Sequence, residues 1–319
     1  MTEDAPQPTE RDVALAVRAS LGVEARTVRR FSAGICHYVY DVVTVDGRRV
    51  VARLANEETR DTLAGGVYWH ERLREVGAPI PALLASDLDP TRAFPYMLLE
   101  RLPGDDLGAV YDRLSRDQRH ALAAEIVALQ RSVARMPSAR GFGFARSYDD
   151  PALRPGWLDV VTADLERSRQ RIAATGVVSL RYIERVGERV MAIGDYLRAV
   201  EPTPFLDDTT TKNVIVWRGR LSGVVDTDYV CFGDPLFTLA LTRVALLAHH
   251  KDVDYADHWQ TLLALDAARK RALAIYVAIF LVGFMSELGQ RFNQERLRPI
   301  DEAYLRHLEG LLDATLAGE

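Results

Sequence analysis

The feature that most constrains this chain is a predicted β-hairpin beyond its midpoint. Two short apolar runs, residues 214–217 and 221–225, flank the turn Arg218-Gly219-Arg220. Strands joined by a tight turn pair along their length, so the residues at the open end of the hairpin come together. Asn213 precedes the first run and Asp226 follows the second. The hairpin therefore predicts two neighbouring oxygen ligands, a donor set that suits Mg²⁺.

A further carboxylate lies close to this pair in the sequence. Asp208 lies five residues before Asn213, near enough to project into the same space and to act as a general base beside a metal site. The alternative is a surface hairpin with an acidic loop, because a single carboxylate is more often a solvated or capping group. The order and spacing of the three residues favour a catalytic segment.

This arrangement, D-x-x-x-x-N, strand, turn, strand and Asp, followed by Gly233-Asp234-Pro235, resembles the catalytic segment of the aminoglycoside phosphotransferase and choline kinase superfamily, relatives of protein kinases. The resemblance implies an α+β, two-lobed protein-kinase-like fold, with a small antiparallel β N-lobe and a larger, mainly helical C-lobe. It also implies transfer of the γ-phosphoryl group of ATP or GTP to a small-molecule hydroxyl. Asp208 would be the catalytic base, and Asn213 and Asp226 would hold Mg²⁺.

Composition is consistent with a cytoplasmic enzyme. The chain has 319 residues, 48% of them hydrophobic, enough to bury the core of two lobes. A net charge of -5 and a pI of about 5.9 give no basic field for nucleic acid, and a mildly acidic surface favours a cationic substrate. Cys36 and Cys231 have neither the number nor the spacing of a disulfide framework or zinc site. We expect a monomer or weak dimer.

The domain prediction has three parts. Residues 1–12 are expected to be a flexible tail, residues 13–102 the nucleotide-binding N-lobe and residues 103–319 the C-lobe. The most apolar segment, residues 273–285, is shorter than the roughly 20 residues that span a bilayer. We therefore expect a buried helix there and no membrane association.

The N-lobe pattern is mostly that of strands. Apolar runs over residues 37–45 and 49–54 flank Asp46-Gly47, a strong hairpin signal. Upstream, a loop with Ser32 and Gly34 leads into the first run, as the phosphate-covering loop of the family does. A plain turn is the alternative, because a second adjacent glycine is absent.

The second of these strands ends in Val51-Ala52-Arg53, which resembles the kinase strand whose lysine contacts nucleotide phosphates. The lysines of the chain are Lys212, Lys251 and Lys270, so Arg53 is the N-lobe candidate for that role. Arginine grips phosphate through two parallel hydrogen bonds, which makes the replacement chemically reasonable. A solvated arginine at a strand end is the alternative.

A helix is predicted over residues 64–76. In kinases an acidic residue of this helix orients the phosphate-binding cation, and Glu71 is the candidate here. The position nearest to the family's usual spacing is Gly66, and an ordinary exposed helix glutamate is the alternative for Glu71.

Residues 96–104 form an apolar strand that runs into Pro103-Gly104 and resembles the kinase hinge. On that alignment the backbone C=O of Glu100 and the N–H of Leu102 would bond the adenine edge. An edge strand followed by a turn is the alternative. After this point the pattern becomes helical, with a capping box at Ser115 and Gln118. Further helices are predicted over residues 157–174, 180–200, 236–248, 258–284 in one or two pieces, and 302–316.

The sequence departs from the family pattern at two positions. Leu206 stands where a histidine usually begins the catalytic loop, and Lys212 directly precedes Asn213. Lys212 is either an aid to the γ-phosphate or a solvated lysine, and Asp228 is a further auxiliary candidate. Two competing functions remain at this point, a nucleotide-binding pseudoenzyme and an unrelated metal-dependent hydrolase. The acceptor is open among aminoglycosides or other antibiotics, choline-like amino alcohols, sugars and amino-acid derivatives.

Overall fold

A computed structural model describes residues 7–31, 37–292, 296–297 and 299–318 of the chain. They form the predicted α+β fold, with a small antiparallel N-lobe sheet and a larger helical lobe. The strands of the N-lobe are β1 (Ala25–Arg30), β2 (Tyr38–Thr44), β3 (Arg49–Leu54), β4 (Leu83–Asp87) and β5 (Tyr96–Glu100). Their order across the sheet is β1-β2-β3-β5-β4, and β2 and β3 form the hairpin predicted around Asp46-Gly47.

A helix that the sequence analysis missed precedes the sheet. Helix α1 (Glu10–Leu21) starts at a capping box in which the Asp12 N–H donates to the Thr9 hydroxyl and the Thr9 N–H donates to the Asp12 carboxylate. Residues 10–12 are therefore helical and not part of a flexible tail. Val13 and Val17 of this helix are buried in one cluster with Tyr40 of the sheet.

Helix α2 (Arg60–Glu75) lies between the lobes and begins four residues before the predicted start. Leu63 packs with Met97 and Leu99 of β5. Trp69 and Leu73, in contrast, belong to the large core of the helical lobe. The helix is therefore held by both lobes.

The C-lobe is mainly helical, as predicted. Its helices are α3 (Leu107–Val110), α4 (Arg116–Val133), α5 (Trp157–Thr175), α6 (Arg181–Ala192), α7 (Gly194–Arg198), α8 (Leu236–Ala248), α9 (Asp254–Leu263), α10 (Ala267–Ser286) and α11 (Glu302–Ala317), with a 3-10 turn at Tyr111–Arg113. The predicted capping box starts α4, and α8 has the predicted bounds. The segment 258–284 contributes to two helices, because Ala264 adopts a left-handed φ of 48° and Asp266 caps α10. None of the helices described here combines the length and apolar character of a membrane span.

The C-lobe also contains short strands. They are β6 (Asp105–Asp106), β7 (Gly143–Ala145), β8 (Thr203–Phe205), β9 (Val214–Trp217), β10 (Arg220–Val224), β11 (Val230–Gly233), β12 (Arg291–Phe292) and β13 (Arg296–Leu297). The predicted hairpin is β9–β10, with β6 paired to β9, and β11 lies between β7 and β8. The loops that join β8 to β9 and β10 to β11 consequently emerge side by side and carry the candidate site.

Candidate active site

The hairpin places Asn213 and Asp226 at its open end, as the sequence predicted. Val214 is in register with Val224, and the Val225 N–H donates to the Asn213 carbonyl at 2.9 Å. Pairing therefore continues one residue beyond the strands and brings the chain at Asp226 beside Asn213.

Both residues offer oxygen atoms to the cleft. The Asn213 side-chain N–H donates to the Asp208 carbonyl at 3.1 Å, which turns the amide oxygen to the opposite side. Asp226 has a left-handed φ of 64°, uncommon for a residue with a Cβ, and 57% of its side chain is exposed. Desolvation between the lobes raises the pKa of Asp226 nonetheless, against the effect of the Arg53 charge. Within the described residues no three His, Cys, Asp or Glu side chains form a metal cage.

The loop of residues 206–210, which carries Asp208, is held by hydrogen bonds from Thr210 and from Gln130 of α4. One oxygen of Asp208 accepts hydrogen bonds from the Thr210 N–H at 3.2 Å and from the Thr210 hydroxyl at 2.6 Å. Leu206, at the position usually held by histidine, is 2% exposed and packs in the C-lobe core. Gln130 of α4 supplies the polar brace, because it accepts from the Leu206 N–H at 3.0 Å and donates to the Leu206 carbonyl at 2.8 Å. The sequence analysis missed Gln130, although a glutamine on the apolar face of α4 is a readable signal.

A second carboxylate stands directly before Asp208. Burial in the cleft, followed by the charges of Asp208 and Asp226, raises the pKa of Asp207 to about 7. Asp207 therefore exchanges its proton near neutral pH. The sequence analysis did not include Asp207 among the site residues, because its burial and its nearness to Asp226 depend on the fold.

Arg53 lies at the base of the cleft and is only 8% exposed. Its guanidinium donates to both oxygens of Asp228, at 2.8 and 2.6 Å, and to one oxygen of Asp226 at 2.9 Å. Nδ1 of His37 lies 2.9 Å from Arg53 Nη2 and 3.3 Å from Oδ2 of Asp228. The alternative of a solvated strand-end arginine does not hold.

The prediction that Glu71 pairs with Arg53 is wrong. Glu71 lies on the exposed side of α2, and the side of the helix that faces the site carries Gly65 and Gly66. A Cβ on Gly66 would overlap Oδ1 of Asp228. The carboxylate that grips Arg53 on both oxygens therefore comes from the loop between β10 and β11, not from the helix. Burial opposes ionisation of Asp228, but the charge of Arg53 holds its pKa below the ordinary value.

The remaining predicted residues include Glu100 and Leu102 of the hinge candidate. Glu100 ends β5, where the Glu100 N–H donates to the Ala82 carbonyl at 2.8 Å, and Leu102 follows beside Gly223 of the hairpin. The hinge candidate thus adjoins the catalytic segment, and its adenine contacts stay a prediction. Lys212 is exposed. Ser32 and Gly34 lie outside the described residues.

Comparison with known proteins agrees with this geometry. The model of the phosphotransferase enzyme family APH matches residues 27–274, most of the chain. The chain therefore belongs to this family, and it is a phosphotransferase of the kinase type that acts on a hydroxyl group. No curated protein sequence matches it.

Solved structures share the fold at low sequence identity. A ternary complex of a thermostable mutant of aminoglycoside phosphotransferase APH(4)-Ia with AMP-PNP and hygromycin B aligns with a TM-score of 0.67 and 17% identity, over 96% of this chain and 98% of that one. A complex of APH(2")-IIa with streptomycin and ATP aligns with a TM-score of 0.66 and 14% identity, over 97% of each chain. A Thermobifida fusca protein described as a fructosamine-3-kinase aligns with a TM-score of 0.63 and 16% identity, over 96% and 98%.

Proposed function

We propose that this enzyme transfers the γ-phosphoryl group of ATP or GTP to a hydroxyl of a small molecule, with Mg²⁺ as cofactor. One observation carries the proposal: the cleft between the lobes brings together Asp208, the Asn213 and Asp226 pair, and Arg53. These are a base, two oxygen ligands and a phosphate-binding cation. The relatives crystallised with AMP-PNP or ATP and an aminoglycoside support a nucleotide as the phosphoryl donor and a small molecule as the acceptor.

Each residue has a defined task in this reaction. Asp208 keeps one oxygen bonded to Thr210, which fixes the carboxylate so that the other oxygen can accept the proton of the acceptor hydroxyl. Arg53 would bind α- and β-phosphate oxygens through guanidinium N–H groups other than the two that Asp228 accepts. Positioning and charge neutralisation supply most of the rate enhancement in phosphoryl transfer.

The donor set at the hairpin end suits Mg²⁺. The Asn213 amide nitrogen is occupied by the Asp208 carbonyl, so the amide presents its oxygen elsewhere, and Asp226 keeps an exposed carboxylate. Mg²⁺ prefers such hard oxygen ligands and commonly uses one or two of them together with phosphates and water. When bound, it would neutralise charge that develops on the phosphates.

The charge of the cleft favours an acceptor that carries amino groups. Asp207 and Asp208 lie together on the C-lobe side of the cleft, beside the Asp226 that would hold Mg²⁺, whereas Asp228 already balances Arg53. An aminoglycoside or another amino-bearing alcohol would meet complementary charge there. The complexes of APH(4)-Ia with hygromycin B and of APH(2")-IIa with streptomycin agree with this class.

The proposal is tested in two stages. Calorimetric titration with ATP and with GTP, each with and without Mg²⁺, should give magnesium-dependent binding of at least one nucleotide. Turnover is then measured against aminoglycosides, choline-like amino alcohols, sugars and amino-acid derivatives, and we expect phosphorylation of amino-bearing alcohols. Magnesium-independent behaviour, or no binding of either nucleotide, would defeat the proposal.

We propose further properties of the chain. We propose an N-lobe over residues 13–102 and a C-lobe over residues 103–319, with α2 shared between their cores. A net charge of -5 supports a protein without a nucleic-acid partner, and the free, buried Cys231 agrees with a cytoplasmic location. We also propose a monomer or weak dimer.

A further inference from the structure

We infer that Asp228 is the residue that positions Arg53 for nucleotide phosphates, and that the Gly65-Gly66 pair of α2 provides the space for it. This inference rests on the proposed function. It assigns to the loop after Asp226 the task that a helix carboxylate performs in protein kinases.

The contact geometry separates Asp228 from the other partner of Arg53. Asp228 is 5% exposed and accepts from both Nη1 and Nη2 of Arg53. Asp226 accepts from Nη2 alone and leaves more than half of its side chain in solvent. A paired, buried contact fixes the plane and direction of a guanidinium, while a single exposed contact does not. Asp228 therefore sets the orientation of Arg53.

The glycine pair explains why the acid can stand in the loop. A Cβ on Gly65 would lie 2.9 Å from the Asp228 carbonyl oxygen and 2.8 Å from Cβ of Arg146, and a Cβ on Gly66 would point into the Asp228 carboxylate. A helix with any side chain at these positions would displace the loop. Because the Cβ direction of Gly66 points at Oδ1 of Asp228, an aspartate at position 66 could reach the place that this carboxylate fills.

The contacts of α2 hold the helix and the loop at this separation. The Thr62 hydroxyl lies 3.0 Å from the hydroxyl of Tyr229, the residue after Asp228. One turn beyond the glycines, Trp69 Nε1 donates to the Ala145 carbonyl at 2.6 Å. The Arg146 side chain bonds Asp150 within the C-lobe and reaches Asp61 of α2 at 3.3 Å. The Thr62 contact joins α2 to the loop of Asp228, and the other two join α2 to the segment at β7, which pairs with β11 directly after that loop.

The test compares phosphate-dependent with nucleoside-dependent binding. Calorimetry gives the affinities of the full chain for MgATP and MgGTP and for adenosine and guanosine, which lack phosphates. The variants are Asp228→Asn, Asp228→Ala, the double variant Gly66→Asp with Asp228→Ala, and Glu71→Gln as a control on the exposed side of α2. Thermal unfolding of each variant is recorded in parallel.

We expect Asp228→Asn to weaken binding of the preferred magnesium nucleotide by about 10- to 100-fold, the usual effect of a lost charge-assisted bond, with nucleoside affinity unchanged. The double variant should recover a large part of the loss relative to Asp228→Ala, and Glu71→Gln should match the parent. Unchanged nucleotide affinity in Asp228→Asn overturns the inference, and so does an equal loss for nucleotide and nucleoside.

Two further outcomes are decisive. A parental protein that binds neither magnesium nucleotide refutes the proposed function itself, which distinguishes that failure from failure of the inference. If Asp228→Asn does not fold, the double variant decides: folding with near-parental nucleotide affinity supports positioning by a carboxylate, whereas folding without phosphate-dependent affinity, or no folding, shows that Asp228 is structural and overturns the inference.

Discussion

The base and the mouth of the cleft hold carboxylates in opposite environments. At the base, formed by Arg53, Asp228 and His37, the side chains are buried and in contact with one another. At the mouth, formed by Asp208, Asn213 and Asp226, Asp226 is more than half exposed and Asp208 is bonded through one oxygen. Arg53 holds the pKa of Asp228 below its ordinary value against burial, while desolvation raises that of Asp226. The side chains at the base of the cleft are therefore held by one another, whereas the mouth of the cleft keeps carboxylate oxygens accessible to a ligand.

The largest expected effect concerns the mouth. Asp208→Asn should lower phosphoryl transfer by roughly 10²–10⁴-fold, because a positioned acid-base group contributes in the transition state. Nucleotide affinity should stay within a few fold. Steady-state rates with a competent acceptor and calorimetric nucleotide affinities measure the two quantities separately. Asp226→Asn is the comparison variant and should damage both, and a parental rate in Asp208→Asn would make Asp207 the next candidate base.

The second prediction concerns the base of the cleft. Arg53→Ala leaves the buried Asp228 carboxylate without its cation, so the free energy of unfolding should fall by about 3–5 kcal/mol. Affinity for the magnesium nucleotide should fall by about 1.5–3 kcal/mol. Urea unfolding and calorimetry measure these changes. An unfolding free energy equal to that of the parent would show that the Arg53–Asp228 pair does not stabilise the base of the cleft.

The third prediction concerns a single methyl group added where α2 contacts Asp228. Gly66→Ala should destabilise the fold by about 1–3 kcal/mol, because the new Cβ overlaps Asp228 and the packed loop must shift. Gly187→Ala in α6 is the matched control, since a Cβ there meets no atom within 4 Å. Alanine at that helical site should stabilise by about 0.5–1 kcal/mol. Similar unfolding free energies for the two variants would contradict the close approach at Gly66.

The last prediction is a pH dependence at Asp207, next to the mouth. Burial and the neighbouring carboxylates raise the pKa of folded Asp207 from 3.8 to about 7. Between these values the folded protein keeps a proton that the unfolded chain has released, so Asp207 makes the fold less stable as pH rises through this window. Asp207→Asn should remove that decline. Urea unfolding of both proteins at about pH 5 and about pH 8 measures the difference, and parallel pH profiles would exclude it.

Local pattern predicted much of this molecule. The hairpin ends and the bounds of α8 follow from apolar runs and turn residues within a few positions of one another. The capping box at Thr9 and Asp12 was equally local, so α1 was readable but missed. Strands such as β7 and β8, with three residues each, are too short for any periodicity to show.

The partner of Arg53 could not be predicted in the same way. Residues 53 and 228 are far apart in the sequence, and their contact depends on the separation between α2 and the loop after Asp226. Gly66 gave the one local indication of this arrangement. It stands at the position where the family usually has an acidic residue, so α2 offers no carboxylate to Arg53 there. The brace from Gln130 to Leu206 likewise spans distant segments.

The anchoring of α2 has a consequence for regulation. In protein kinases, movement of the corresponding helix carries its acid toward or away from the phosphate-binding cation and so turns activity on or off. Here the helix carries glycine at that point, and its Trp69 is fully buried in the C-lobe core and bonded to Ala145. Swinging the helix would expose a tryptophan without removing the acid from Arg53. The helix movement that controls protein kinases would therefore leave the contact between Arg53 and Asp228 in place here.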